Sequence, residues 1–484
     1  MNSNKLIILV LSVISLGSCS GAPHGAGGGG GGGTGTANLT LTLTSEAQAS
    51  QASFTILAFS AQITSLTLNP SIGGNTVPVP LAPNPYLVDF NRLTTDSAFL
   101  ASFSVPAQTT FGSMGMALTN VTITIAVPPT ATAISTCLPG SVCEFAFPPQ
   151  LANIIANDFP AKFSPQSNNN FYLSVHPQDI ITSSITGLTV DFSKTSVVPA
   201  LLLPRSNQAA NTLDSVEDFT GKVTAVSTGS LSITSGSGVP LSAKLSNTSF
   251  DDDSPSKCVA GSIAGCVKVG SIVSMDAVVN TDGTLTATEL DLLDPSPVDA
   301  IEGTIFTTSP GNFRLVLTDK QVATNNATLA AANIGDIFSL TLPGGNFSVD
   351  TKNLSTATPA VPVSRFQGTG DILNGQTVRL HVSSASGAFA GNNQAAIASS
   401  VQLRFTRFTA SKVTAAAGLL TVGSLGAIFQ APNQPVVQTY PVTVLDKFSD
   451  ITSLGGPGTS PLISIRALFL NSSNNFYATK IRDQ

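Results

Sequence analysis

Two short segments carry paired thiols: Cys137-LPGSV-Cys143 and Cys258-VAGSIAG-Cys266. Each encloses glycine, and the first also proline, so each can turn back on itself. Two loop disulfides in an oxidising compartment are the reading. Loops this short stabilise a fold by about 2 kcal/mol each in the chain-entropy model. Zinc is the rival, but the spacings exceed the usual Cys-x2-Cys and the chain holds only 3 histidines. Crossed pairing stays open at this point. The sharpest acidic cluster is Asp251-Asp252-Asp253, just ahead of the Cys258 loop. Hard oxygen ligands on a loop suit calcium. Consecutive aspartates on an extended loop cannot all face one ion, however, and a solvated turn is the alternative. A Ser-His-Asp triad would need His176 or His381, since His24 sits in a glycine-rich stretch. Neither a Gly-x-Ser-x-Gly elbow nor a His-Glu-x-x-His motif accompanies them. The two histidines read as a turn residue and a strand-surface residue. No catalytic residue and no cofactor is assigned, and the chain reads as a non-enzyme.

The fifth cysteine, Cys19, stands apart. Lys5 supplies a positive start, and Leu6 to Leu16 is apolar apart from Ser12 and Ser15. A helix of that length rises about 16 Å, against about 30 Å for a bilayer core. Residues 1–18 therefore read as a signal peptide. Leu16-Gly17-Ser18-Cys19 resembles the bacterial lipobox. The resemblance implies diacylation of the Cys19 thiol, cleavage before it and acylation of the new amine. An ordinary signal peptide with an incidental Cys19 is the alternative. Ser20 follows where an inner-membrane retention signal would place Asp, so the outer membrane is expected. Gly27 to Gly33 bury nothing and cost too much entropy to order. Residues 19–37 thus read as a lipidated tether.

Composition narrows the partners. Of 484 residues only 10% are charged, the net charge is −6, and no Lys/Arg-rich run occurs. That excludes a nucleic-acid footprint. There is no Trp and there are 4 Tyr against 26 Phe. Sugar platforms favour Trp and Tyr, whereas Phe at alternating strand positions is core. The expected partners are the membrane, through the lipid anchor, and an envelope protein or extracellular polymer.

From Asn38 the pattern has period two. "NLTLTLT" alternates as a half-buried strand requires, and "ASFTILAFSAQITSLTLNP" reads as two strands with a bend near Ala61-Gln62. "ANIIANDF" reads as a short helix. Residues 38–200 are expected to form an antiparallel β-sandwich, followed by a linker over 201–217. The remainder repeats. "FTGKVTAVSTGSLSIT" from Phe219 matches "FTASKVTAAAGLLTV" from Phe408, and "NTDGTLTATEL" from Asn280 matches "NSSNNFYATKI" from Asn471. A weaker copy lies between, interrupted near "SASGAFAGNNQ". Three tandem units follow, 218–302, 303–405 and 406–484, each of about five strands. Units of that size can close into small OB-like barrels. Immunoglobulin-like units are the alternative. The Lys-Val-Thr-Ala strands and "NTDGTLTATEL" resemble a family of exported bacterial β-repeats of unknown function. Residues 38–200, with "LVDFNRL" and "GLTVDFSKTSVV", resemble an uncharacterised sandwich domain of envelope lipoproteins. The expected fold is all-β: a sandwich, then three small barrels. The expected function is a lipid-anchored, non-catalytic scaffold or binding module. A polysaccharide-binding accessory protein comes second and a secreted hydrolase third.

Overall fold

A computed structural model describes residues 35–46, 53–155, 163–193, 197–201, 214–254, 257–309, 311–351, 360–388, 394–416, 418–429, 439–444, 462–470 and 475–483. The signal segment, Cys19, the seven glycines and the centre of "SASGAFAGNNQ" lie outside the described residues. The fold is all-β, and among the described residues no helix is long and apolar enough to cross a membrane.

The sandwich strands are β1 (Thr36–Ser45), β2 (Thr55–Pro70), β3 (Val77–Pro78), β4 (Tyr86–Asp89), β5 (Ala98–Pro106), β6 (Phe111–Ala126), β7 (Val142–Phe147), β8 (Gln150–Ile155), β9 (Asn168–Val175), β10 (Ile181–Ser184), β11 (Gly187–Val190) and β12 (Val197–Leu201). One sheet runs β12-β9-β1-β5. The other runs β3-β2-β6-β7, with β4 on β2 and β8 on β6, while β10 and β11 form a hairpin. The sandwich is not wholly antiparallel. β1 and β9 run parallel, from Asn38 opposite Asn168 to Ser45 opposite Val175. The whole second sheet lies between them in sequence, and that long crossover lets β9 enter from the same end as β1.

Three local readings change. β1 is buried on both faces: Leu39, Leu41 and Leu43 enter the core, and Thr40, Thr42 and Thr44 are covered as well. The Asn280–Thr284 turn lies over Thr40: a Cβ on Gly283 would stand 3.9 Å from Thr40 Oγ1 and 2.7 Å from Ser102 Oγ on the neighbouring strand. β2 is one continuous strand, but its pairing with β6 slips between Ser60 and Gln62, where the bend was expected. "ANII" is strand, not helix. Leu151 is exposed while Ala152 and Ile154 are buried, the period-two pattern of β8 paired with β6.

The second half repeats one circuit. β13 (Val216–Val226), β14 (Ser230–Thr234), β15 (Pro240–Asp252), β16 (Ile272–Val279) and β17 (Leu285–Asp294) close in the order β13-β14-β15-β17-β16. Next come β18 (Ala300–Ser309), β19 (Asn312–Gln321), β20 (Ile337–Thr341), β21 (Phe347–Val349), β22 (Thr377–Ser386) and β23 (Gln394–Arg404). These form a six-stranded sheet, β20-β19-β18-β22-β23-β21, rather than a plain five-stranded barrel. An added β20–β23 pairing completes the same circuit, and β21 is a sixth strand laid against β23. Finally β24 (Thr406–Ala416), β25 (Leu419–Gly423), β26 (Thr439–Val444), β27 (Leu462–Leu470) and β28 (Asn475–Asp483) close as β24-β25-β26-β28-β27. In every circuit the third strand pairs in parallel with the fifth. Gly270 and Gly375, at φ +96° and +87°, make the turn into the fourth strand of the first two, a backbone region closed to most side chains.

Apart from an isolated bridge between Ser97 and Glu217, strand pairing among the described residues stays within these limits, but side-chain packing crosses them. Leu57 and Ala58 of the sandwich share a core with Phe306, Val316 and the last barrel. Leu468, Leu470 and Tyr477 of the last barrel join the core of the middle sheet. Residues 35–484 form one compact unit. β12 reaches Leu201 and β13 begins at Val216, so both ends of the expected linker belong to strands.

Candidate functional site

Cys137 bonds Cys143, and Cys258 bonds Cys266, each with Cα atoms 5.8 Å apart. Two disulfides fit an oxidising, extracytoplasmic location. The three aspartates lie at the end of β15 and beyond, where alternate side chains face opposite ways. Asp252 accepts from the backbone N–H groups of Ser254 and Cys258, bracing the entry to the disulfide loop. Asp253 is buried and accepts from Thr351 Oγ1 at 3.0 Å, while its carbonyl accepts from Gln402 Nε2 at 2.9 Å. These contacts join the first barrel to the middle sheet. Among the described residues no three His, Cys, Asp or Glu side chains gather as a metal-holding group.

The histidines also have partners. His176 Nε2 stands 3.2 Å from Glu46 Oε1. His381 Nε2 stands 2.8 Å from Asp294 Oδ1, and Arg379 Nη1 meets Asp294 Oδ2 at 2.5 Å. Asp294 is buried, so His381 is part of a barrel-to-sheet joint rather than a free strand-surface residue.

The largest concentration of ionisable groups is one that sequence reasoning missed. It lies where the sandwich, both barrels and the middle sheet meet. Arg92 and Asp96, from the turn Arg92–Thr94 and just after it, pair at 2.9 Å. The β13–β16 pairing is interrupted between Val216 and Phe219, and Asp218 has φ +53°. This bulge turns Glu217 and Asp218 toward the junction. Asp218 binds Arg407, and Arg407 Nη2 also reaches Asp96 at 3.0 Å. Glu217 meets Lys480 at 2.5 Å. Glu302 meets Arg404 at 3.2 Å. Burial pushes Glu302 up, but Arg404 and Arg92 outweigh it and hold the carboxyl below its usual range. Arg466 is likewise disfavoured by burial yet held firmly charged by Asp218, Asp276, Glu217 and Asp96. The one available signal was a lone charge inside an apolar strand, as in "IVSMDAVV", "LISIRALFL" and "SVQLRF". Such a charge is stable in a core only beside a counter-ion.

Two pockets open beside this junction. The first, about 80 Å³, lies between β2 and the last barrel and is lined by Phe54, Phe59, Phe90, Phe408 and Phe429. The second, about 110 Å³, lies between β4, the turn after it, β13 and β19. Its polar wall carries Asp89, Asp96, Glu217, Asp218 and Asp319, with Arg92 as the cation among its lining residues. Asp96 and Asp218 are engaged by Arg92 and Arg407, and Glu217 by Lys480. Asp89 and Asp319 differ. Burial raises both, Asp319 to about 6. The arrangement is a set of buried carboxylates countered by Arg92, Arg407 and Lys480. No model of a known protein family matches the chain, and comparison with curated proteins likewise gives no match.

Proposed function

We propose that this protein is a lipid-anchored component of the bacterial envelope, held in the outer membrane through Cys19. It acts there as a non-catalytic scaffold or binding module for an envelope protein or extracellular polymer. The observation that carries this reading is the buried junction. In a chain with only 10% charged residues, acids and bases from four sub-structures are committed to one another. Groups held this way fix the relative placement of four surfaces, which is what a scaffold needs. The two local disulfides support export, and the residues around Cys19 support the anchor. The decisive experiment is metabolic labelling with an alkyne fatty acid. Wild type should label and fractionate with outer membrane; Cys19→Ala should be unlabelled and wrongly processed. Equal labelling of the variant would remove the anchor. Selective binding on a glycan array would replace the scaffold reading with the polysaccharide-binding one.

A further inference from the structure

We propose that Asn374-Gly375, in the turn into β22, is a deamidation site held back by the fold, and that its conversion to isoaspartate loosens the middle sheet from the last barrel. Asn-Gly occurs once in the 484 residues. The reaction is a nucleophilic substitution within the chain. The Gly375 nitrogen loses its proton and attacks Asn374 Cγ. The N–Cγ bond forms, the Cγ–Nδ2 bond breaks, and Nδ2 leaves with that proton as ammonia. Water then opens the five-membered imide, to aspartate at one carbonyl or to isoaspartate at the other. Glycine favours the attack because no Cβ keeps its nitrogen away from Cγ.

In the folded chain both reacting groups are tied to β18. Gly375 N donates to the Ile305 carbonyl at 2.9 Å. Asn374 Oδ1 accepts from Thr307 N at 2.9 Å and from Thr307 Oγ1 at 2.8 Å. The attack needs a free Gly375 nitrogen and a freely turning Asn374 side chain, so these bonds must break first. That is a local opening with a population of its own. The glycine is a demand of the turn itself. At φ +87° a side chain is disfavoured, and a Cβ would stand 2.6 Å from Phe429 Cδ1. The same turn joins the middle sheet to the last barrel. The Gly375 carbonyl accepts from Thr406 Oγ1 at 3.1 Å, Thr377 N donates to that hydroxyl at 2.8 Å, and Gln376 Nε2 donates to the Phe469 carbonyl at 2.8 Å. Isoaspartate routes the main chain through Cβ, one carbon longer, and adds a carboxylate. Neither fits beside a buried glycine packed on Phe429, so the three bonds to the last barrel are strained or lost.

This inference does not rest on the lipid anchor and survives its loss. The test follows the Asn374 peptide of the full mature chain by mass at mildly alkaline pH, both folded and in guanidinium chloride. Deamidation is expected in both, about thirtyfold slower in the folded chain. The exchange protection of the Gly375 amide, measured independently, should show the same factor, because one opening governs both. The isoaspartate form carries one more negative charge and is separated by ion exchange. It should exchange hydrogen faster in β22, β24 and β27 and stay unchanged in β13–β17. Asn374→Gln, which would need a six-membered ring, should neither react nor change on ageing. If that variant does not fold, the separated isoaspartate form of the natural chain still decides the matter. Equal rates folded and unfolded, no isoaspartate at Asn374, or an isoaspartate form that exchanges like fresh protein would overturn the proposal.

Discussion

The two closed barrels share an order of strands and invert one another's charge. In the first, Asp218 precedes Phe219-Thr220; in the last, Arg407 precedes Phe408-Thr409. On the facing strand Phe219 pairs with Met275 and Phe408 with Ile465, so Asp276 and Arg466 occupy equivalent places. On the fifth strand Glu289 and Lys480 each follow an Ala-Thr pair. At each of these places the first barrel is acidic and the last basic. One of the pairs meets directly, Asp218 with Arg407. The interiors differ too. The first barrel is filled by Val, Leu, Ile and Ala around Met275 and clipped by Cys258–Cys266. The last is filled by phenylalanines, with Phe469 and Phe476 stacked at 4.5 Å. The same circuit of strand pairings thus carries a covalent loop clip in one case and a core of aromatic volume in the other. Reversing the charge on a common face turns two alike modules into complementary ones.

If inverted charge joins the barrels, Arg407→Glu should be the most damaging single change. It removes the cation that Asp96 and Asp218 share, leaving Asp96 its Arg92 contact, and adds a third buried carboxylate. A loss of about 5 kcal/mol in denaturant unfolding is expected. The double reversal Asp218→Arg with Arg407→Asp should recover part of it. Phe476→Ala should cost about 4 kcal/mol through the cavity it opens. Hydrogen exchange should accelerate in β24–β28 and leave β13–β17 protected. Replacing Cys258 and Cys266 by Ser should cost about 2.5 kcal/mol, with the opposite distribution of exchange. A uniform loss in either experiment would mean that the barrels do not hold their shape by separate means.

Asp319→Asn should give the smallest effect and a favourable one. Burial raises the Asp319 carboxyl from 3.8 to about 6, so the folded chain keeps a proton that the unfolded chain has already lost. Stability should therefore fall as pH rises from about 4 to about 6 and stay lower above that. The substitution removes this loss. At pH 7.5 it should stabilise by about 2 kcal/mol, allowing for the side chain's partial exposure; at pH 3.5 it should be neutral. A thermal midpoint lowered at pH 7.5 would mean that the Arg92 contact outweighs the burial.

Much of this architecture was legible. Period-two alternation located most strands, and "KVTA" together with the Asn-led hairpins located two copies of one circuit. What escaped was long-range. β1 reads as half-buried because its threonines are polar, and nothing local says that they will be buried, Thr40 beneath Asn280–Thr284. The β1–β9 pairing carries no signature in either strand. The junction escaped for the same reason: Arg92, the Glu217-Asp218 pair, Glu302 and Arg407 are separated by scores of residues, with no common motif.

The inverted faces have a consequence for molecularity. Within one chain their meeting is a closure at an effective concentration of millimolar order, set by the sheet between them. A second molecule at micromolar concentration cannot compete, although its faces fit equally well. Covalent continuity, more than contact strength, makes the chain its own preferred ligand. A cut between the barrels would change that. The same surfaces would become a bimolecular pair, loosening on dilution and with added salt, and open to exchange between molecules.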